Sequence, residues 1–493
     1  MSRYQPPSIL LLVLDTARAR NFSCYGHHRK TTPVIDRLAD KHVQYSDAVT
    51  ASPWTLPSHS TLFTGVYPSV HRTNSLESRL PEDLVTLSQI LSDEGYRTVG
   101  MASNPWFSSE FGITRGFDKF FQMFGPYSTD SYREFSLTLT DDTKSFKQRL
   151  LHLLHTQTMS DLCKNSLNAG YRMISNRPDD GAAEAVKKTI SLISGPSPFF
   201  GFINFLEPHL PYDPPEAYAD QFLPQDVDSK AVKSVNQYAP TYNIRNVSMD
   251  SQDFDILERL YEGALRYVDD RIGKIFSHLR EEEEMDNTMI IIMGDHGENI
   301  GDHGLMGHHY SVHQTLLHIP LIIKYPNSDG QGVVVNERVS SIDVPATIAQ
   351  VLHNSGIPIN DFMSQQMGEP LTQTAERSDP IIVEYLNHMP SIGQLKEKCN
   401  NPGFDVEKYD RQLWAIFDNN QKVIVDSNGY IELYNVASDP NERNDLADDF
   451  PERASSLRNS LQEYRNQLEP TGSHGRTKPK GDIEDRLNNL GYL

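Results

Sequence analysis

Asp15, His209 and the pair Asp295-His296 are carboxylates and imidazoles that each come just after a run of apolar residues. Asp15 follows Ile9-Leu-Leu-Leu-Val-Leu14 directly, and Asp295 follows Thr288 to Met293 after a single glycine. His209 lies four residues beyond the run Phe199 to Phe205. Short continuous apolar runs of this kind suit strands buried on both faces of a parallel sheet. The carboxyl ends of such strands share one edge, where open α/β folds hold their ligands. An acid after a strand also serves as a helix cap, and a lone histidine as a structural group. The shared edge favours a functional reading of Asp15, Asp295 and His296, and leaves His209 open between the two. Thr55-Leu-Pro-Ser-His59 is a further signal, because Pro57 suits the first turn of a short helix running to Thr64, with Gly65 as its stop. Thr55 then sits at the mouth of that helix, where free backbone N–H groups and the dipole stabilise an anion. As a local pattern alone, the simpler reading of Thr55 is a helix cap.

The elements that must position these groups alternate between strand and helix. Val43 to Val49 and Arg97 to Met101 read as strands, with a helix over Leu84 to Glu94 between them. A helix over Gly181 to Ile193 precedes the strand Phe199 to Phe205. Apolar residues at helical spacing, from Leu257, Leu260 and Tyr261 through to Leu279, predict a long amphipathic helix over Phe254 to Leu279. Ile319 to Lys324 reads as one more buried strand. Gly125 to Asn176 is polar and irregular apart from Phe146 to His155, and reads as an insertion over the sheet edge. Past Leu371 the texture changes, with short strands predicted over Leu413 to Phe417, Lys422 to Asp426 and Tyr430 to Val436. Asn428-Gly429 between the last two is a strong hairpin signal. Ile483, Leu487, Leu490 and Leu493 predict a terminal helix that packs back on the body.

Composition narrows the class. A chain of 493 residues suits one large α/β domain and a smaller one. With 38% hydrophobic and 23% charged residues it reads as globular and not as a disordered chain. A formal net charge of −21 argues against a general nucleic-acid binder, whose footprint is basic. An anionic substrate must therefore be drawn in by a local feature, against the global field. Cys24, Cys163 and Cys399 form no close-spaced motif, which points to a reducing compartment or to indifference about redox. The run Ile9 to Leu14 is too short for a signal segment or a membrane span, so a cytoplasmic protein is expected.

Several blocks in order resemble the sulfatase branch of the alkaline phosphatase superfamily. Leu12-Val-Leu-Asp15 and Thr55-Leu-Pro-Ser-His-Ser-Thr-Leu-Phe-Thr-Gly65 resemble its first two signatures. Pro198-Phe-Phe with Glu207-Pro-His209-Leu-Pro resembles its central histidine segment. Gly294-Asp-His-Gly-Glu-Asn-Ile-Gly-Asp-His-Gly304, then Gly307-His308 and Ile319-Pro-Leu-Ile322, are similar to its third block. Glu432-Leu-Tyr-Asn, Asp439-Pro-Asn-Glu and Asn444-Asp-Leu446 resemble the C-terminal signature. The resemblance implies one divalent cation held by Asp15, Asp295, His296 and the Thr55 oxygen. It implies that His209 and His308 contact the ester group or protonate the leaving group, and it places His59 where the family arginine steadies the nucleophile.

Two departures from the family pattern bear on the chemistry. Thr16 stands where relatives carry a second carboxylate, which leaves the cation site one ligand short. Thr55 stands where sulfatases carry the Cys or Ser that becomes formylglycine, an aldehyde that threonine does not yield. A threonine hydroxyl activated by a divalent cation remains a workable nucleophile. Oxygen ligands suit Ca²⁺ or Mg²⁺, while His296 and the lost carboxylate tilt the site toward Mn²⁺ or Zn²⁺.

The expected fold is an α/β sandwich: a large mixed, mainly parallel sheet between helices, over 1–370, and a subdomain with a small antiparallel sheet over 371–493. The expected activity is metal-dependent hydrolysis of a sulfuric or phosphoric ester, of a glycan or a lipid, through Thr55 and without formylglycine. The alternatives are a two-metal phosphodiesterase or phosphotransferase, and a catalytically silent binder of anionic glycans or lipids. Glu298 or Asp302 is expected to orient His296, as carboxylates around metal ligands commonly do. Asp269 and Asp343 read as a cap or a buried hydrogen bond, while His71 and Asn74 lie just past the short helix, where they could line the pocket.

Overall fold

The structure, a computed structural model, describes residues 6–123, 179–195, 198–328, 330–371, 379–387 and 390–468, together with Ile483, Arg486, Leu487 and Leu490. The insertion expected over Gly125 to Asn176 and most of the terminal helix lie outside the described residues.

The central sheet has eight strands: β1 (Ser8–Leu14), β2 (Val43–Tyr45), β3 (Arg97–Ala102), β4 (Lys119–Gln122), β5 (Phe199–Phe205), β6 (Thr288–Gly294), β7 (Leu321–Lys324) and β8 (Val333–Val335). Their order is β8-β2-β7-β6-β1-β5-β3-β4. Only β7 runs against its neighbours, so the sheet is mixed and mainly parallel, as expected. The helices that cover it include α1 (Pro33–Ala39), α2 (Thr55–Thr64), α3 (Ala182–Ile193), α4 (Ser251–Glu281) and α5 (Asp343–Asn354).

The unbroken apolar run of β1 has a direct cause in this layering. Ile9, Leu11 and Val13 enter the core shared with α2 and α5, while Leu10, Leu12 and Leu14 enter the core under α1, α3 and α4. All six are 0% exposed. Burial of side chains this size contributes about 2 kcal/mol each, which is why no polar residue interrupts the strand.

Where boundaries differ from the sequence reading, caps and prolines explain it. α4 begins at Ser251 because Asp250 and Asp253 close a reciprocal capping box ahead of the first apolar turn. The helix expected over Leu84 to Glu94 is confined to Leu87–Asp93 by the same device, with Thr86 and Gln89. Ile319 to Lys324 divides at Pro320, which has no N–H for the ladder. Val43 to Val49 divides too: Ala48–Val49 leaves β2 and pairs with His318–Ile319 and Val339–Ser340 in a separate small sheet.

The chain then forms a second, antiparallel sheet of β9 (Ile381–Tyr385), β10 (Leu413–Asp418), β11 (Gln421–Asp426) and β12 (Ile431–Asn435), in that order. Three of these strands were legible, and β9 is an addition. Helix α6 (Pro451–Arg465) lays Ala454, Leu457 and Leu461 on Trp414, Ile416, Val423 and Leu433 of this sheet.

Candidate active site

Strand register sets the site. Leu14 stands level with Phe205 on one side and with Gly294 on the other, so Asp15 and Asp295 leave the sheet side by side. Helix α2 approaches them with its N-terminus, and every one of its residues is buried. Its first turn is fixed to the strand end, because Ser58 Oγ donates to the Asp295 carbonyl at 2.8 Å and Thr50 Oγ1 donates to it at 2.6 Å. Gly65 ends the helix at φ 76°, a left-handed conformation that glycine adopts without strain. Thr55 is thereby placed as the first residue of a buried helix, facing the two carboxylates.

Asp15, Asp295 and His296 present ligand atoms that all lie within 4.8 Å of one another. Thr16 N and His296 N donate to Asp295 Oδ1 at 3.0 and 2.9 Å, and leave Oδ2 with no hydrogen bond. Asp15 Oδ2 accepts from Asn104 and Asn204 at 2.9 and 3.1 Å, while its Oδ1 likewise has none. His296 Nδ1 donates to the Gly297 carbonyl at 2.9 Å, so the neutral ring turns the lone pair of Nε2 inward. That lone pair faces Asp295 Oδ2 at 3.3 Å and Asp15 Oδ1 at 3.9 Å. Burial, reinforced by the charge of Asp15, pushes Asp295 well above the usual carboxylate range, and burial holds His296 well below the usual imidazole range. Electron pairs converging in a buried space repel one another unless a cation lies between them, so the donor set fits a divalent ion.

Thr55 Oγ1 is 3.3 Å from His296 Nε2 and accepts from Asn104 Nδ2 at 3.3 Å. His59 is one turn further along α2. Its Nδ1 donates to the Thr55 carbonyl at 2.9 Å and lies 3.5 Å from Asp295 Oδ2. Burial holds His59 down to about 4, so at neutral pH it steadies the helix mouth without the charge of an arginine.

His209 and His308 come together, with ring centroids 5.0 Å apart, and the His308 ring is 4.6 Å from that of His296. His209 is held by its Nδ1 contact with the Leu210 carbonyl. His308 Nδ1 donates to Glu298 Oε1 at 2.9 Å. Glu298 therefore orients His308, not His296 as the sequence suggested. Asp302 instead pairs with Arg18 and Arg20 at 3.3 and 2.9 Å. Glu207, from the central histidine segment, accepts from Ala182 N at 2.8 Å and so serves the start of α3. Asp269 accepts from Val34 N and Ile35 N at the start of α1, as its structural reading implied.

Three contributors escaped the sequence reading. Asn104 and Asn204 were legible in principle, since Asn204 is in β5 and Asn104 lies two residues past β3, on the sheet edge that carries Asp15. Arg18 is 1% exposed and reaches the Glu298 carbonyl at 3.4 Å, which no local pattern announces. Thr16, in the place of the missing carboxylate, donates its hydroxyl to the Pro208 carbonyl at 2.7 Å and so ties the His209 loop to the strand end.

The family model described as sulfatase matches residues 7–354. An uncharacterised sulfatase of Escherichia coli, YidJ, is 24% identical over 484 residues, which span 94% of this chain and 88% of that protein. The choline-sulfatase of Rhizobium meliloti is 22% identical over 399 residues, 77% of this chain and 74% of its own length. Among solved structures, the phosphonate monoester hydrolase of Agrobacterium radiobacter superposes with a TM-score of 0.67 at 21% identity, covering 94% of this chain and 96% of that one. That last likeness is one of fold alone. Since the family match takes in β1, α2, the His209 segment and the third block together, the chain belongs to the sulfatase family of ester hydrolases.

Proposed function

We propose that this sulfatase-family chain hydrolyses sulfuric or phosphoric esters through Thr55, assisted by one divalent cation held by Asp15, Asp295, His296 and the Thr55 oxygen. The observation that carries the reading is the position of Thr55 Oγ1, on the first residue of a buried helix and 3.3 Å from His296 Nε2. A cation in that donor set would lower the pKa of the Thr55 hydroxyl and offset charge on the transferred group. Asn104 holds the hydroxyl and Asp15 in one arrangement. His59 braces the helix mouth, whose backbone N–H groups receive the anion. Thr55 Oγ1 loses its proton to solvent and attacks sulfur or phosphorus, the bond to the alcohol oxygen breaks, and His209 or His308, in its imidazolium form, protonates the departing oxygen. Water then releases the anion from threonine. The ligand chemistry admits Ca²⁺, Mn²⁺ or Zn²⁺.

The sulfated substrates named for several relatives, among them iduronate and ulvan, support a glycan ester as the substrate. Thr55 itself favours phosphorus over sulfur. A threonine sulfate cannot collapse to an aldehyde and would clear slowly, whereas a threonine phosphate is open to attack by water. The test is a screen of metal-reconstituted protein and Thr55→Ala on an aryl sulfate, a phosphate monoester, a phosphodiester and a phosphonate monoester. Turnover of the last two that vanishes in the variant is expected. Turnover that survives in Thr55→Ala overturns the role of Thr55. A protein inert on all four that binds them unchanged is a binder.

A further inference from the structure

We propose that His303, His313 and Glu442 form a second cation site, for a transition metal such as Zn²⁺, built from residues other than those around Thr55. Their ligand atoms all lie within 4.8 Å of one another. The His303 and His313 rings stack with centroids 3.7 Å apart and planes 12° from parallel. Direct face-to-face stacking is a poor arrangement for aromatic rings, so something other than ring attraction holds the two together. His313 Nδ1 faces Glu442 Oε2 at 3.4 Å without the alignment of a hydrogen bond.

The backbone carries a second, independent sign. His303 has φ 52° and Glu442 has φ 50°, both in the left-handed region that non-glycine residues seldom occupy. Strain of this kind persists where the surroundings impose it and clusters at binding sites. Two of the three candidate ligands bear it.

Charge decides the class of metal. Lys422 Nζ holds Glu442 Oε1 at 2.6 Å and Gln314 N donates to Oε2 at 2.6 Å, which together offset the carboxylate's charge and leave Oε2 one further lone pair for a ligand. A site with two imidazoles and one compensated carboxylate gives a hard cation such as Ca²⁺ little to hold, and suits metals that favour nitrogen. Access is present as well, because His303 and His313 line a cavity of about 350 Å³. A metal here would cross-link the loop that carries His308 to the C-terminal segment that carries Glu442.

Calorimetric titration of chelator-stripped, full-length protein with Zn²⁺ tests the site. His303→Asn and His313→Gln are the informative variants, since asparagine tolerates a positive φ and both changes remove an imidazole. The wild type should bind two ions, and Asp295→Ala should bind one. Each histidine variant should lose one site, with affinity at least about tenfold weaker. His313→Gln in the Asp295→Ala background should bind none. One ion in the wild type that either histidine variant still binds, or a second ion held within about tenfold by both variants, overturns the proposal. If the site around Thr55 takes no Zn²⁺, Asp295→Ala will match the wild type while His313→Gln still loses its ion, so the two readings fail separately.

Discussion

Asn104 Nδ2 donates both to Asp15 Oδ2 at 2.9 Å and to Thr55 Oγ1 at 3.3 Å, and so links the residue after β1 to the first residue of α2. One amide thus fixes the spacing between a carboxylate and a hydroxyl that belong to separate segments of chain. Asn104→Ala should lower kcat by about 10–100-fold, the usual effect of removing a group that orients a metal site. KM should change much less, and the fold should be retained. Steady-state kinetics with near-UV circular dichroism would check this, and an unchanged kcat would refute it.

Thr55 itself allows a sharper comparison. Thr55→Ala should lose all turnover, while Thr55→Ser keeps the hydroxyl and should retain part of it. Mass spectrometry of the peptide containing Thr55 should find it unmodified. The ratio of aryl phosphodiester to aryl sulfate turnover should exceed one, because phosphoryl transfer places more charge on the group that the cation and helix mouth receive. Rapid multiple-turnover release of sulfate that depends on Thr55 would reverse this conclusion.

Asp15 and Asp295 repel each other when no cation lies between them. Asp295→Asn should therefore raise the Tm of metal-stripped protein while removing the part of the metal stabilisation that comes from the site at Thr55. At a hundredfold excess of ion over Kd that stabilisation is about 2.7 kcal/mol, by mass action alone. Thermal scans with and without the ion measure both effects. A metal-dependent rise in Tm of equal size in the variant would exclude Asp295 as a ligand.

His308 and His209 face each other, and Glu298 fixes the first. Replacing the histidine that protonates the leaving alcohol should cost about 10²–10⁴-fold on alkyl esters and much less on nitrophenyl esters, whose leaving groups need no proton. Glu298→Gln should reproduce the His308 pattern in milder form. Equal losses on both kinds of ester would mean that the histidine only positions the anion.

Arg18 gives a prediction about stability. Burial opposes ionisation of Asp302, but Arg18 and Arg20 outweigh it and hold the carboxyl below its usual range. A depressed carboxylate adds stability that is present above its unfolded pKa and disappears as the pH falls through the folded one. Asp302→Asn should cost about 3 kcal/mol at neutral pH, since buried Arg18 loses one of its two acidic partners and keeps Glu258 at 3.4 Å. The variant should also lose part of the acid-side fall in Tm that the wild type shows. A neutral-pH Tm equal to that of the wild type would rule out a stabilising role for the pair.

Sequence alone determined the strands whose two faces are both buried, because an uninterrupted apolar run such as Ile9 to Leu14 has few other stable uses. It also determined α2 from Thr55 to Thr64, through its proline and its glycine stop, and the meeting of Asp15 with Asp295-His296 at one sheet edge. Period and punctuation are local properties, and local properties are written in the chain. Tertiary structure decided what depends on partners distant in sequence. Glu298 and Asp302 are equally plausible supports for His296 on paper, yet the first turns to His308 and the second to two arginines, because side-chain direction follows from packing. Asn104 and Asn204 carry no periodic signal, and only the parallel register of β1, β5 and β3 brings both amides to one oxygen of Asp15. His303 and Glu442, more than a hundred residues apart, meet only because the second sheet packs against the loop that follows β6.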